Sequence, residues 1–228
     1  MKNKKTRYRI LGIIIIPLVI ICILLAILAV TSLKSAVNIT GPAEMESSID
    51  DLGYHLRSDA TDLQKNLFDE LTEALNAEEE DEELIAESIV KNFVADFYTW
   101  TNKEGQYDIG GMDYVYTPQK TNIYDEARNG FYKTFEQSVE AYGQDETLEI
   151  DEVSASAVAL SGGYDLEEDG ASVHFSDAFT VDCDFSYADT DMDKSALETR
   201  QTFIVIKDQE TGRYEIVEAL GGEDVTQE

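Results

Sequence analysis

Histidine and cysteine are nearly missing from this chain, with two of each in 228 residues. Cys22 sits within a long apolar run and Cys183 lies far downstream in a strand-like segment. A thiol in lipid and a thiol in a globular domain cannot meet within one chain, so no internal disulfide is expected. An exported domain built without disulfides suits a bacterium better than a small eukaryotic secreted scaffold. The patterns G-x-S-x-G, H-E-x-x-H, C-x-x-C and the P-loop are also missing. Their absence removes the nucleophile elbow, the zinc helix, the dithiol redox pair and the phosphate cradle. Gly110-Gly111 and Gly162-Gly163 do not stand between a strand and a helix, and read as turn glycines. Basic residues are scarce after Lys34: 11 Lys and Arg against 47 Asp and Glu, a balance of −36. Such a surface repels phosphate backbones and anionic lipid, which disfavours nucleic acid as a partner. It fits a domain kept soluble outside a cell.

What is present begins with a basic stub. Lys2, Lys4, Lys5, Arg7 and Arg9 precede the uncharged run from Ile10 to Val30. A helix of that length spans roughly 30 Å at about 1.5 Å per residue, matching a bilayer core. A cleavable signal has a shorter apolar region of about 7–15 residues followed by a small-residue cleavage site. Here Ala29 has Ile27 two positions before it, and Ala36 has Lys34. The reading is an uncleaved signal anchor over 10–33, which would make the lipid bilayer the partner of that segment. The positive-inside rule then leaves residues 1–9 in the cytoplasm and the C-terminal bulk extracellular.

Past the anchor, Met45, Ile49, Leu52, Leu56, Leu63, Leu67 and Leu71 recur at helical spacing and predict an amphipathic stalk helix over 43–75. Either it pairs with another chain or it packs on its own domain. The acidic run NAEEEDEE at 76–83 reads as a linker whose last carboxylates favour the start of the next helix. Together these form a segment, 34–80, before the main domain. Leu84, Ile85, Ile89, Val90, Phe93, Phe97 and Trp100 make one broad apolar face over 81–101, with Glu83, Glu87, Lys91 and Asp96 on the other. A further helix is predicted over 121–142, stopped by Gly143. Beyond 145 the period changes. TLEIDEVSASAVAL predicts a strand and SGGYDLEEDG a turn-rich loop. SVHFSDAFTVDCDFSY alternates with period two and predicts one long strand. TRQTFIVIKD and RYEIVEALG flank QETG and predict a hairpin. Helices first, then about four antiparallel strands, define an α+β domain. An acidic tail follows at 223–228.

The aromatic helix SIVKNFVADFYTW, a second helix, and long strands ending in TFIVIKDQETGRYEIVEAL resemble the NTF2-like (cone-shaped α+β) superfamily. With a single-pass anchor before it, the layout is similar to VirB8-type and TcpC-type assembly proteins of conjugation systems and to Gram-positive surface proteins. The resemblance spans about 80–222 and rests on element order and aromatic placement. It implies about three helices packed on a curved antiparallel sheet over 81–222. This fold serves isomerases, dehydratases, transport factors and scaffolds, so it implies no single activity.

Few residues are candidates for chemistry. His55 falls in the stalk-like helix, and His174 lies on the polar face of the long strand. Asp177 holds an apolar-phase position between Phe175 and Phe179. It either faces a cone interior as a catalytic carboxylate or is turned outward by a bulge. Asp189, Asp191 and Asp193 alternate like the start of a calcium loop, yet Lys194 and Arg200 stand where that loop requires Gly and Glu. Tyr98, Trp100, Tyr114 and Tyr116 are candidates to line the mouth of a cone and touch a ligand or partner. No cofactor motif is present. The functional class these observations favour is a membrane-anchored extracellular binding or assembly module of the cell envelope, with itself or other envelope proteins as partners. The alternatives are an extracellular small-ligand-binding protein and an isomerase- or dehydratase-like enzyme using the cone pocket. If the anchor reading is right, the chain will sediment with membranes at its uncleaved length. It will resist carbonate, dissolve in detergent, and lose its C-terminal domain to protease added outside intact cells. Release of a shortened chain into the medium would overturn that reading.

Overall fold

A computed structural model describes residues 45–49, 51–168 and 170–220. The apolar run expected to anchor the chain and the acidic tail at 223–228 lie outside the described residues. Among the described residues no helix is long and apolar enough to cross a membrane.

Two strands, β1 (Met45–Ile49) and β2 (Tyr54–Arg57), precede helix α1 (Asp62–Leu75). The stalk helix expected over 43–75 is therefore a helix only in its second half. Gly53 adopts a left-handed φ of 67° and turns the chain, with the Leu52 and Gly53 amides both donating to the Ile49 carbonyl. The spacing of Met45, Ile49, Leu52 and Leu56 suits a helix, but a glycine placed for a tight turn ends it. Tyr54 then becomes wholly buried, its hydroxyl donating to the Tyr214 carbonyl at 2.8 Å and accepting from the Tyr214 amide at 3.0 Å. Arg213 pins the turn from above: its Nη1 donates to the Leu52 carbonyl at 2.7 Å and its guanidinium lies 4.8 Å from the Tyr54 ring centre.

Helix α1 starts at a capping box. The Thr61 hydroxyl accepts from the Gln64 amide, and the Gln64 side chain accepts from the Thr61 amide. Its buried face, Leu67, Phe68, Leu71 and Ala74, packs on α2 (Glu82–Phe97). Two buried amides cross between the helices: Asn92 Nδ2 donates to the Leu67 carbonyl and Gln64 Nε2 to the Ala95 carbonyl, both at 2.9 Å. The segment thus packs on its own domain.

The acidic run before α2 has the expected use, and more. Asp81 caps the helix by accepting from the Leu84 amide at 3.1 Å, with Glu82 and Glu83 in the first turn. Glu80 and Glu82 also clasp Lys207 at 2.8 and 2.6 Å. The polar side of α2 is equally employed. Glu87 and Glu83 accept from the outward amides of Ala157 and Ala159, and Lys91 pairs with Glu70. Those two carboxylates occupy backbone donors of an edge strand that would otherwise invite a second chain.

The region expected as one helix over 121–142 is two, α3 (Lys120–Asn129) and α4 (Phe135–Tyr142). Gly130 closes the first, and a tight 3₁₀ turn over Phe131–Thr134 reorients the second. This break lets Phe131, Tyr132 and Phe135 all reach Trp100.

The main sheet contains β3 (Ile150–Ala159), β6 (Ala178–Tyr187), β7 (Arg200–Lys207) and β8 (Tyr214–Leu220), antiparallel in the order β3-β6-β7-β8. The α+β class, a four-stranded antiparallel sheet and its terminal hairpin are as expected. Two readings are corrected. The residues expected to form a turn-rich loop supply β4 (Tyr164–Glu168), which pairs with β5 (Ala171–Phe175). The single strand expected over 172–187 is broken at Ser176-Asp177, where the chain leaves that hairpin and enters the main sheet. Alternation survives on both sides of the bend, and the bend's one mark in the sequence is Asp177, a carboxylate in apolar phase that the bend turns outward, as the bulge alternative expected.

One face of the sheet, with Val181, Cys183, Phe185, Phe203 and Val205, joins the helices in the large core. The other face carries a smaller cluster in which Leu166, Tyr164 and Phe175 of the β4–β5 hairpin cover Ile204, Ile206 and Val217. Cys183 is enclosed, and burial together with the nearby Asp184 pushes its thiol up to about 12. Leu71→Ala distinguishes this packed arrangement from a free stalk. It should cost the domain about 2–5 kcal/mol in urea denaturation, as for a buried leucine, whereas a stalk position would leave the domain transition unmoved.

Candidate ligand cleft

Helix α2 ends in a row of rings: Phe93, Phe97 and Tyr98. Phe93 stacks on Phe97 at 5.1 Å and meets Phe203 of β7 edge-on at 5.7 Å, and Tyr98 stacks on Phe185 of β6 at 5.0 Å. These contacts fix the rings as a floor between helix and sheet. The opposite wall is α3, held at the sheet edge by the segment before it. Val115 forms a parallel bridge to Ile216 of β8, and the Tyr116 amide donates to the Ile216 carbonyl at 2.9 Å. Pro118 then sits in the 3₁₀ turn that leads into α3.

Between these walls lies a cleft of about 460 Å³. Its floor is Phe93, Phe97, Phe203 and Ile216, and its rim carries Gln119, Asn122, Glu126, Gln201 and Glu218. The Tyr98 hydroxyl donates to Gln201 Oε1 at 2.8 Å. Tyr164, from the hairpin on the far side of the sheet, donates its hydroxyl to Glu218. Burial and that carboxylate together push the Tyr164 phenol up to about 12, so it remains a donor at neutral pH. An apolar, aromatic floor with a few convergent polar groups is the usual make-up of a small-molecule site.

A second cavity of about 410 Å³ opens beside β2 and the loop before α3, lined in part by His55, Arg57, Asp96, Asp108 and Asp113. Its charged groups are already paired. Arg57 Nη2 meets Asp108 at 2.8 Å and its Nε meets Asp59 at 2.6 Å. His55 Nδ1 lies 2.8 Å from Asp113. The fully enclosed Lys103 side chain meets Asp96 at 2.7 Å and Asn102 Oδ1 at 2.9 Å, and Asp96 also accepts from the Gly111 amide at 2.6 Å. Asp96 itself is 28% exposed at the cavity wall. Burial would raise its carboxyl, but the Lys103 ammonium, Arg57 and the Gly111 amide override that and hold it below the usual aspartate range. Gly110 and Gly111 are turn glycines, as expected. A Cβ on Gly110 would lie 2.2 Å from the Asp96 carbonyl oxygen. This network fastens the loop to α2.

The sequence candidates are scattered by the fold. Tyr98 lines the first cleft. Tyr114 lines the second cavity, stacked on Tyr54 at 5.4 Å. Trp100 is only 2% exposed and belongs to the core, and Tyr116 rests edge-on against Phe175. Asp177 stands at the bend between β5 and β6, where its carboxylate accepts from Gln209 and its carbonyl from the Lys207 amide. It lines neither cavity. His174 pairs with Asp165 on the β4–β5 hairpin at 2.8 Å, and His55 is on β2 instead of a helix. Asp189, Asp191 and Asp193 occupy the loop after β6, where Asp193 accepts from the Ser195 amide at 2.9 Å. Among the described residues no three His, Cys, Asp or Glu side chains gather to hold a metal ion.

Glu126, Glu218 and Gln201 were not singled out from sequence. Gln201 carried a readable mark: it falls in phase with Phe203 and Val205, a polar residue on the core-facing side of β7. Comparison with protein-family models, with curated proteins and with solved structures gives no match.

Breaking the Lys103–Asp96 pair tests its structural role. Asp96→Asn should lower stability by about 3 kcal/mol at neutral pH, because it strands a buried ammonium, and Asp96→Asn/Lys103→Met should recover part of that loss. A depressed folded pKa means the contribution is present above the ordinary aspartate range, about 3.9, and is lost as pH falls below it. Urea midpoints of wild type and Asp96→Asn should therefore converge in acid.

Proposed function

We propose that this chain is a membrane-anchored extracellular binding module of the cell envelope, and that the cleft between α2, α3 and β8 is where it binds. The anchor and its orientation rest on the apolar run and its basic flank. The NTF2-like reading of residues 81–222 rests on the order of elements, helices first and then the antiparallel sheet. The observation that carries the binding reading is the aromatic floor of Phe93, Phe97 and Phe203 beneath a rim of amides and carboxylates. Such a site lowers the free energy of an apolar body by removing it from water and orients it by a few polar contacts. The position of Asp177 outside the cleft favours binding over an isomerase or dehydratase mechanism that would need an inward carboxylate there. Assembly with itself or with other envelope proteins is the second use of the same module, favoured by the tether.

A photo-reactive amino acid at Asn122, on the rim, tests this in cells with the full-length chain. It should give adducts that a probe at exposed Val158 on β3 does not, and Phe97→Ala should reduce them several-fold. Equal labelling from both positions would overturn the cleft as the binding site.

A further inference from the structure

We infer that the open half of β3, at the opposite edge of the sheet from the cleft, takes up an extended basic segment of another protein as a further strand. β3 is an outer strand, paired on one side only, with β6. Its register with β6 runs unbroken from Glu152 to Ala159, so the residues whose amides and carbonyls point outward alternate along it. The Ala157 and Ala159 amides, donating to Glu87 and Glu83, fix that phase. Val153 and Ala155 therefore present their backbone groups to the same side. The two ends of this edge differ. Glu87 and Glu83 close the end at 157–159, where Val158 lies. Among the described residues nothing accepts from the Val153 and Ala155 amides. A cavity of about 580 Å³ opens at that end, bordered by Leu63 of α1 and by Glu152, Val153 and Ser154 of β3.

In an antiparallel addition, Val153 and Ala155 each exchange both backbone bonds with the residue opposite. Alternate side chains of the added strand fall on the two faces of the sheet. On the inner face they meet Leu63, Val153 and Ala155, a partly buried apolar strip packed against the core. On the outer face they lie beside Glu152. Charge decides the occupant. Asp151, Glu152 and Asp184 border the cavity, and no Lys, Arg or His does. Asp151 accepts from Ser186, and Asp184 meets Arg200 at 3.7 Å, whereas Glu152 enters no ion pair among the described residues. A second copy of this chain is a poor occupant, because pairing β3 with itself sets these acids against their equals. An acidic segment meets the same repulsion, and the −36 balance beyond Lys34 steers basic partners inward. A segment alternating apolar and basic residues satisfies both faces. Its main chain supplies the affinity, and its side chains supply the selectivity.

The test uses the full chain in nanodiscs of zwitterionic lipid, with empty discs subtracted. The probe is an end-blocked peptide, Thr-Val-Lys-Val-Lys-Val-Thr, beside its counterpart with Glu for Lys, and binding is read by calorimetry. The lysine peptide should bind at least about tenfold more tightly than the glutamate one. Photo-leucine in place of its central valine should label residues 63 or 151–155. Two further versions carry N-methyl groups on every valine or on every lysine, so each has lost the donors of one edge only. One of them should lose at least about tenfold in affinity, in line with the hydrogen bonds removed, and the other should bind within about twofold of the parent. Loss with the valine set marks antiparallel addition, and loss with the lysine set marks parallel addition. Ala155→Pro removes an outward donor that the main sheet does not use, and should weaken the parent peptide while the chain keeps its circular dichroism. Equal effects of the two methylated sets would reduce the binding to charge alone and overturn the inference. So would no binding of the lysine peptide, or sedimentation as dimers that Ala155→Pro dissolves, which would assign the edge to a second copy. None of these results touches the cleft, so the binding reading above stands or falls on its own test.

Discussion

Lys103 has no route to water, and the rest of the helical layer depends on how that charge is held. Its ammonium reaches Asp96, the next-to-last residue of α2, and Asn102 beside it. An isolated buried ammonium would be several kcal/mol too costly to keep, so the loop after α2 has one acceptable course. That course brings Gly110 hard against the α2 backbone and places Gly111 to donate to the same carboxylate. Tyr132 completes the join, donating to the Phe97 carbonyl at 2.6 Å and accepting from the Gly110 amide. Only with this loop fastened can Val115 meet Ile216, and only then does α3 face the sheet across a cleft.

The acidic character of the chain has a structural side that composition hides. Glu80, Glu82, Glu83 and Glu87 reach a lysine, a tyrosine and two edge amides, so four acids around the start of α2 bind helix to sheet. Net charge describes how the surface behaves toward partners at a distance. It says nothing about which carboxylates are already committed within the fold.

What sequence pattern could convey depended on whether one interaction or several decided each element. Helix α2 was legible because its apolar stripe, its acidic start and its core position agree. The terminal hairpin was legible because QETG separates two runs of clear alternation. The β1–β2 hairpin was not, since Met45, Ile49, Leu52 and Leu56 satisfy helical spacing and the deciding contact, Tyr54 with Tyr214, lies 160 residues away. The bend at Ser176-Asp177 preserves alternation on both sides, so only the polar residue in apolar phase, Asp177, marks it. The cleft is the least legible part of all. Its floor comes from two segments about 110 residues apart, and its carboxylates sit in elements whose pairing no local pattern encodes.

The Tyr54–Tyr214 bond pair places one phenol where the first residue of β8 would otherwise meet a neighbouring strand. It also joins the earliest described strands to the last one. Tension applied to the chain ahead of Met45 enters through β1, whose antiparallel pairing with β2 opens one rung at a time like a zipper. The next resistance is a single side chain with two bonds and the arginine stacked on it. Beyond it lies a four-stranded sheet loaded at its edge. Under such a load the hairpin would lengthen before the layers behind it, because its rungs part singly while the strands of the main sheet are held along their whole length.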